Sequence, residues 1–88
     1  MACFALKYQL NDAKDYPPLW EELERLGAHK VLRSFYFLDV ESTAKILRDH
    51  FKSFIDADDA IVVVPFSERP HHNNAFKGTN DWIGARFA

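Results

Sequence analysis

From Ala2 to Leu10 the chain alternates, with Phe4, Leu6, Tyr8 and Leu10 on one side and Cys3, Ala5, Lys7 and Gln9 on the other. A period of two predicts a strand. Asn11 to Asp15 is polar turn material, and a helix is expected to follow it. Asp15 stands where an N-cap belongs, and Pro17 and Pro18 fall in the first turn, where a missing N–H costs little. Leu19, Leu23 and Leu26 recur at helical spacing, Trp20 widens the stripe, and Gly27 supplies a left-handed stop. Glu21, Glu22 and Glu24 take the outer face, mostly toward the helix N-terminus, where negative charge is favourable.

Val31 to Val40 reads as a second strand, apolar on both faces: Leu32, Tyr36, Leu38 and Val40 on one, Val31, Phe35 and Phe37 on the other. A strand covered on one side only would carry polar residues on its second face. Glu41-Ser42-Thr43 opens a second helix, with Ser42 as the expected cap and Ala44, Leu47, Phe51 and Phe54 as the buried stripe, helped by Ile55. Asp56 to Asp59 is a turn. Ala60 to Phe66 is another strand with two apolar faces, and Pro65 marks its end or an edge. A fourth strand completes a split βαββαβ order, supplied either by Phe76–Phe87 or by a bend within Val31–Val40. The expected fold is therefore α+β: a ferredoxin-like antiparallel sheet over residues 1–66 with two helices on one face. Residues 67–88 change character, polar to Asn74 and aromatic again from Trp82, and read as an edge strand or an arm packed on a partner.

Composition adds the reason for a partner. The chain has 88 residues, 48% of them hydrophobic and 15% aromatic, which is generous for the thin core of a small domain. The surplus is expected to be buried between two copies, through Phe35, Phe37, Val62 and Val64 on the face away from the helices. A net charge of −2 argues against a binder of polyanions by bulk electrostatics. The single cysteine, Cys3, cannot form an internal disulfide. It suits a reducing cytoplasm and, lying in an apolar run, a core position. No apolar stretch approaches the ~20 residues of a membrane span, and Met1-Ala2-Cys3-Phe4 lacks the features of a signal peptide.

Few residues offer chemistry. Lys45, Arg48 and Lys52 fall along one helical flank, with Arg33 as a further cation, and form the candidate phosphate-contacting strip; Asp49 interrupts the row. Adjacent His71 and His72 point to opposite sides of an extended segment, and no zinc spacing supports them. Asp56, Asp58 and Asp59 resemble part of a calcium loop without its glycine and terminal glutamate, so turn chemistry explains them better. Ser34 has no adjacent base, and His29 and His50 have no readable partner.

The first strand's Lys7-Tyr8-Gln9-Leu10-Asn11, the second strand's Arg33-Ser34-Phe35-Tyr36-Phe37 and the run Asp56-Ala57-Asp58-Asp59-Ala60-Ile61-Val62-Val63-Val64 carry a resemblance. Together, across roughly residues 2 to 66, they resemble the small dimeric CRISPR-associated nuclease-like family, partner of the adaptation integrase, and its solitary toxin-like and SinR-family relatives. The resemblance implies a homodimer of two ferredoxin-like sheets packed face to face. It also implies a C-terminal segment that extends the partner's sheet, which gives Trp82, Ile83 and Phe87 an interface role. Nuclease members of the family end the first strand in an aspartate that binds Mg²⁺. Gln9 stands at that position here, and a neutral amide lacks the charge to draw a hard cation from its water. Asp12, three residues on in the following loop, is a candidate substitute that would approach from a different angle.

The expectation is a non-catalytic dimeric module that binds nucleic acid or a protein and needs no cofactor. The alternatives are a Mg²⁺-dependent endoribonuclease or deoxyribonuclease using Asp12, and an antitoxin or phage-encoded inhibitor acting through protein–protein contact.

Overall fold

The computed structural model describes residues 2–10 and 16–87. The alternating start forms β1 (Ala2–Gln9), with Phe4, Leu6 and Tyr8 buried and Lys7 and Gln9 exposed. Helix α1 (Pro17–Arg25) has both prolines in its first turn and Tyr16 at its N-cap, without a side-chain cap bond. Asp15 lies outside the described residues. The helix ends as expected at Gly27. With φ +72°, Gly27 closes a turn in which its own N–H donates to Glu24 O and the N–H of Ala28 donates to Leu23 O, each at 2.9 Å; this is the double bond of a Schellman motif.

The long Val31–Val40 run is two strands, so the bend, and not the C-terminal segment, supplies the fourth strand. Strands β2 (His29–Leu32) and β3 (Phe35–Val40) turn at Arg33-Ser34, where Ser34 takes a left-handed φ of 57°. Neighbouring β1 holds the turn, Tyr8 N–H donating to Ser34 O at 3.1 Å and Lys7 Nζ to Arg33 O at 3.2 Å. Helix α2 (Ala44–Lys52) is capped by Thr43, not Ser42. Thr43 Oγ1 accepts from Ile46 N–H at 3.2 Å, a reach to the third helical residue that Ser42, one position earlier, lacks. Strand β4 (Ala60–Phe66) follows.

The four strands run antiparallel in the order β2-β3-β1-β4. That order, with α1 and α2 as crossovers, is compatible with a ferredoxin-like fold. The main core lies between sheet and helices, built from Phe4, Leu6, Tyr8, Tyr36 and Leu38 below and Leu19, Leu23, Leu47 and Phe51 above.

The second face of the sheet is closed in part by the chain itself. Thr79–Arg86 is a helix, α3, where an edge strand or a partner-bound arm was expected. Thr79, Trp82, Ile83 and Arg86 stand at i, i+3, i+4 and i+7, a helical stripe. Trp82 and Ile83 join Val31 and Phe37 in a second buried cluster, flanked by Cys3, Ala5, Phe35, Phe66 and Phe87. Trp82 packs 5.3 Å from the Phe37 ring and 6.5 Å from that of Phe66. Much of the surplus apolar surface therefore has an intrachain destination, worth roughly 1.5–3 kcal/mol for each large side chain covered.

Candidate partner-binding edge

At the end of the sheet where β1 stops, Gln9 is exposed and pairs with Ala60. Asp12 lies outside the described residues. Beside Gln9, the carboxylates of Asp56, Asp58 and Asp59 come within 4.8 Å of one another, the one such group of potential metal ligands among the described residues. They already have work in the turn: the Tyr16 hydroxyl bonds to Asp56 Oδ2 at 2.8 Å and Asp59 Oδ2 at 2.9 Å, and Asp59 accepts from Asp56 N–H at 2.9 Å. Beneath them Trp20 Nε1 donates to the Tyr8 hydroxyl at 2.8 Å, and the Tyr8 and Tyr36 rings stack at 6.2 Å. Burial, reinforced by Tyr8, pushes the Tyr36 phenol up to about 12, so it stays protonated and offers no nucleophile near neutral pH.

The four candidate phosphate contacts do not form one patch. Lys45, Arg48 and Lys52 are exposed on α2, which packs on β4. Arg33 lies in the β2–β3 turn, at the opposite edge of the sheet. Arg48 Nε is held by Asp49 Oδ1 at 2.7 Å, so among the described residues the strip has Lys45 and Lys52 without an ion-pair partner and Arg48 compensated. His50 reaches the other way, its Nε2 lying 2.5 Å from Glu22 on α1. Arg25 and then His50 hold the Glu22 carboxyl at about 2, which makes this contact a tie between helices.

The residues expected at a dimer interface divide. Phe37, Trp82 and Ile83 are buried against one another, and Phe35 and Phe87 are half-buried at the rim of the same cluster. Val62 and Val64 remain open, 56% and 49% exposed. They sit on the α3 side of β4, opposite Lys7 and Ala5 of β1, on the half of the face that α3 leaves bare.

His29, Thr79, Asp39, Arg86 and His72 serve the docking of α3. Thr79 Oγ1 donates to Phe76 O at 2.7 Å and so accepts from His29 Nε2 at 2.8 Å, which fixes the imidazole tautomer. Burial, then Arg86, lowers the His29 pKa. Arg86 Nε donates to Asp39 Oδ2 at 2.8 Å. A cavity of about 540 Å³ opens beside this pair, with Cys3, Pro65, Phe66 and Phe87 in its wall. Burial, then Asp39, pushes the Cys3 thiol up, which suppresses the reactive thiolate. His72 Nε2 lies 2.8 Å from Asn80 Oδ1, tying the loop to α3.

Sequence reasoning missed the α3 stripe, which helical spacing at Thr79–Arg86 signalled. In the sequence Pro65 marks the end of its strand or an edge, and β4 lies at the edge of the sheet. No protein-family model matches the chain.

Proposed function

We propose that the protein is a non-catalytic binding module that lends the free edge of β4 to a protein partner. On this reading it is a relative of the CRISPR adaptation nuclease-like family in which the metal position at the end of β1 has become neutral. One observation carries the proposal: among the described residues β4 pairs with β1 alone, holds no charged residue from Ala60 to Phe66, and exposes Val62 and Val64. An uncharged valine-rich edge is a template for strand addition, which chains that avoid pairing interrupt with charge or proline. Here the one proline, Pro65, stands next to the end of the strand and leaves Ile61 to Val64 uninterrupted. The chemistry-bearing side chains support the non-catalytic half. Gln9 is neutral, the phenol of Tyr36 is held protonated, and His29 and His50 are engaged in ties between elements. A homodimer would use what α3 leaves open on the second face, namely Val62, Val64 and the half-buried Phe35.

Panning a library of extended peptides against the immobilised chain tests the proposal. The expected binders lose the chain when Val62→Lys and Val64→Lys are introduced together, exposed changes that leave the core intact. Peptides that bind both forms equally, or Mg²⁺-dependent cleavage of single-stranded RNA or DNA by the purified chain, would contradict it.

A further inference from the structure

The two edges of the sheet are finished differently. At β2 the chain blunts its own edge: Phe76 N–H donates to Val31 O at 2.9 Å, and Lys30 Nζ stands 5.8 Å over the Phe76 ring. Among the described residues no backbone bond covers β4 in this way. Pro65 indicates which groups are left over. It pairs with Phe4 within the ladder yet has no N–H, and a proline fits there with its nitrogen toward the open side. Alternation in an antiparallel pair then turns the N–H and C=O groups of Ile61 and Val63 to that same side.

Helix α2 overhangs this edge. Leu47 and Phe51 face the sheet and His50 reaches α1. At ~100° per residue, Arg48, Lys52 and Lys45 fall on the side of α2 turned away from α1. Arg48 lies nearest the sheet and Lys52 and Lys45 further round toward solvent, while α2 itself packs on β4. The other face of the strand presents Val62 and Val64. A strand added here would meet cations on one face and valines on the other.

We propose that the edge of β4 takes an extended acidic segment of a partner protein, with carboxylates under Lys45, Arg48 and Lys52 alternating with apolar side chains beside Val62 and Val64. This rests on the reading of β4 as a docking edge and adds the chemistry of what docks. Asp49, 2.7 Å from Arg48, already places a carboxylate on this flank. Asp56, Asp58 and Asp59 stand just before β4, past the Lys52 end of the strip, and Asp49 compensates Arg48, so the partner's carboxylates gather toward Lys45. A second copy added edge to edge about a two-fold axis would bring two such basic flanks together, which like-charge repulsion opposes. A nucleic acid would find the cations but has no N–H and C=O ladder for Ile61 and Val63.

The test uses the full chain and two synthetic peptides as long as β4, one alternating glutamate with valine and one alternating lysine with valine. Binding is read by fluorescence anisotropy and amide exchange by NMR. The glutamate peptide is expected to bind, to slow exchange at Ile61 and Val63, and to weaken at least about tenfold when Lys45→Glu and Lys52→Glu are combined. The lysine peptide is expected to bind much more weakly. Equal protection of Ile61 and Val63 by both peptides would overturn the acidic preference while leaving the docking edge standing. Protection by neither would overturn both. A single-stranded DNA oligonucleotide that displaces the glutamate peptide, and is itself lost in the charge-reversed variant, would assign the flank to phosphate and overturn the proposal.

Discussion

Arg86 fastens α3 to the sheet by donating from Nε to Asp39 Oδ2 at 2.8 Å. Its guanidinium also lies 4.1 Å from the centre of the Trp82 ring and donates to Trp82 O at 3.1 Å. The Asp39 side chain is 8% exposed and that of Arg86 26%. Among the described residues Asp39 Oδ1 has no hydrogen-bond partner, so Arg86 is the group that compensates this buried charge. Arg86→Ala is expected to cost about 2–4 kcal/mol in a urea titration, somewhat less than for a fully buried pair because Arg86 keeps some water. Combining Arg86→Met with Asp39→Leu should regain most of that loss, since the buried charge is then gone. An Arg86→Ala protein of unchanged stability would contradict this account of how α3 is held.

Trp82→Ala removes the largest side chain of the second cluster. A loss of about 3–5 kcal/mol is expected, with amide exchange accelerated at Val31 and Phe37 more than at Leu6 and Leu38. Uniform acceleration across both clusters would show that the two cores do not open separately.

Acid should loosen the same helix. His29 has a folded pKa below its ordinary value, so the unfolded chain takes up a proton more readily. The stability contributed by its neutral form is complete above the unfolded pKa of ~6.5 and is lost as pH falls from there through the folded value. Thermal melts from about pH 7 to about pH 5 should therefore fall less steeply for His29→Gln than for the parent chain, a comparison that separates His29 from the other histidines. Equal slopes would remove His29 from the explanation.

The cap of α2 separates two adjacent hydroxyls. Thr43→Ala should cost about 1 kcal/mol, whereas Ser42→Ala should stay within about 0.5 kcal/mol. Among the described residues Ser42 Oγ reaches only the neighbouring Thr43 O, at 3.4 Å. Chemical denaturation of the two variants side by side distinguishes them.

The sheet and its two crossover helices were legible because their burial is periodic. The alternation of Phe4, Leu6 and Tyr8 and the spacing of Leu19 and Leu23 each encode one buried face. The β2–β3 turn was harder to read, because Arg33-Ser34 interrupts an apolar run without the glycine or asparagine that usually marks a tight turn. Doubly apolar strands pointed correctly to a second covered face but not to its cover. Asn80 and Asp81 before Trp82, and the small Gly84 and Ala85 after Ile83, dilute the α3 stripe, and only the tertiary contacts of Trp82 with Phe37 reveal what it is for. Of the candidate site, the flank of Lys45, Arg48 and Lys52 followed from spacing alone. Its place beside an open strand edge was legible only in part: Pro65 marked β4 as ending or lying at an edge, and the strand order decides for the edge.

Backbone N-methylation of Val63, installed by chemical ligation of the full chain, asks whether the outward amide of β4 is the group that partners use. The methylated protein should keep its thermal stability, because the ladder to β1 does not need that N–H, and should lose at least about tenfold in affinity for the glutamate–valine peptide. Undiminished binding, or collapse of the fold, would contradict an open, partner-accepting edge at β4.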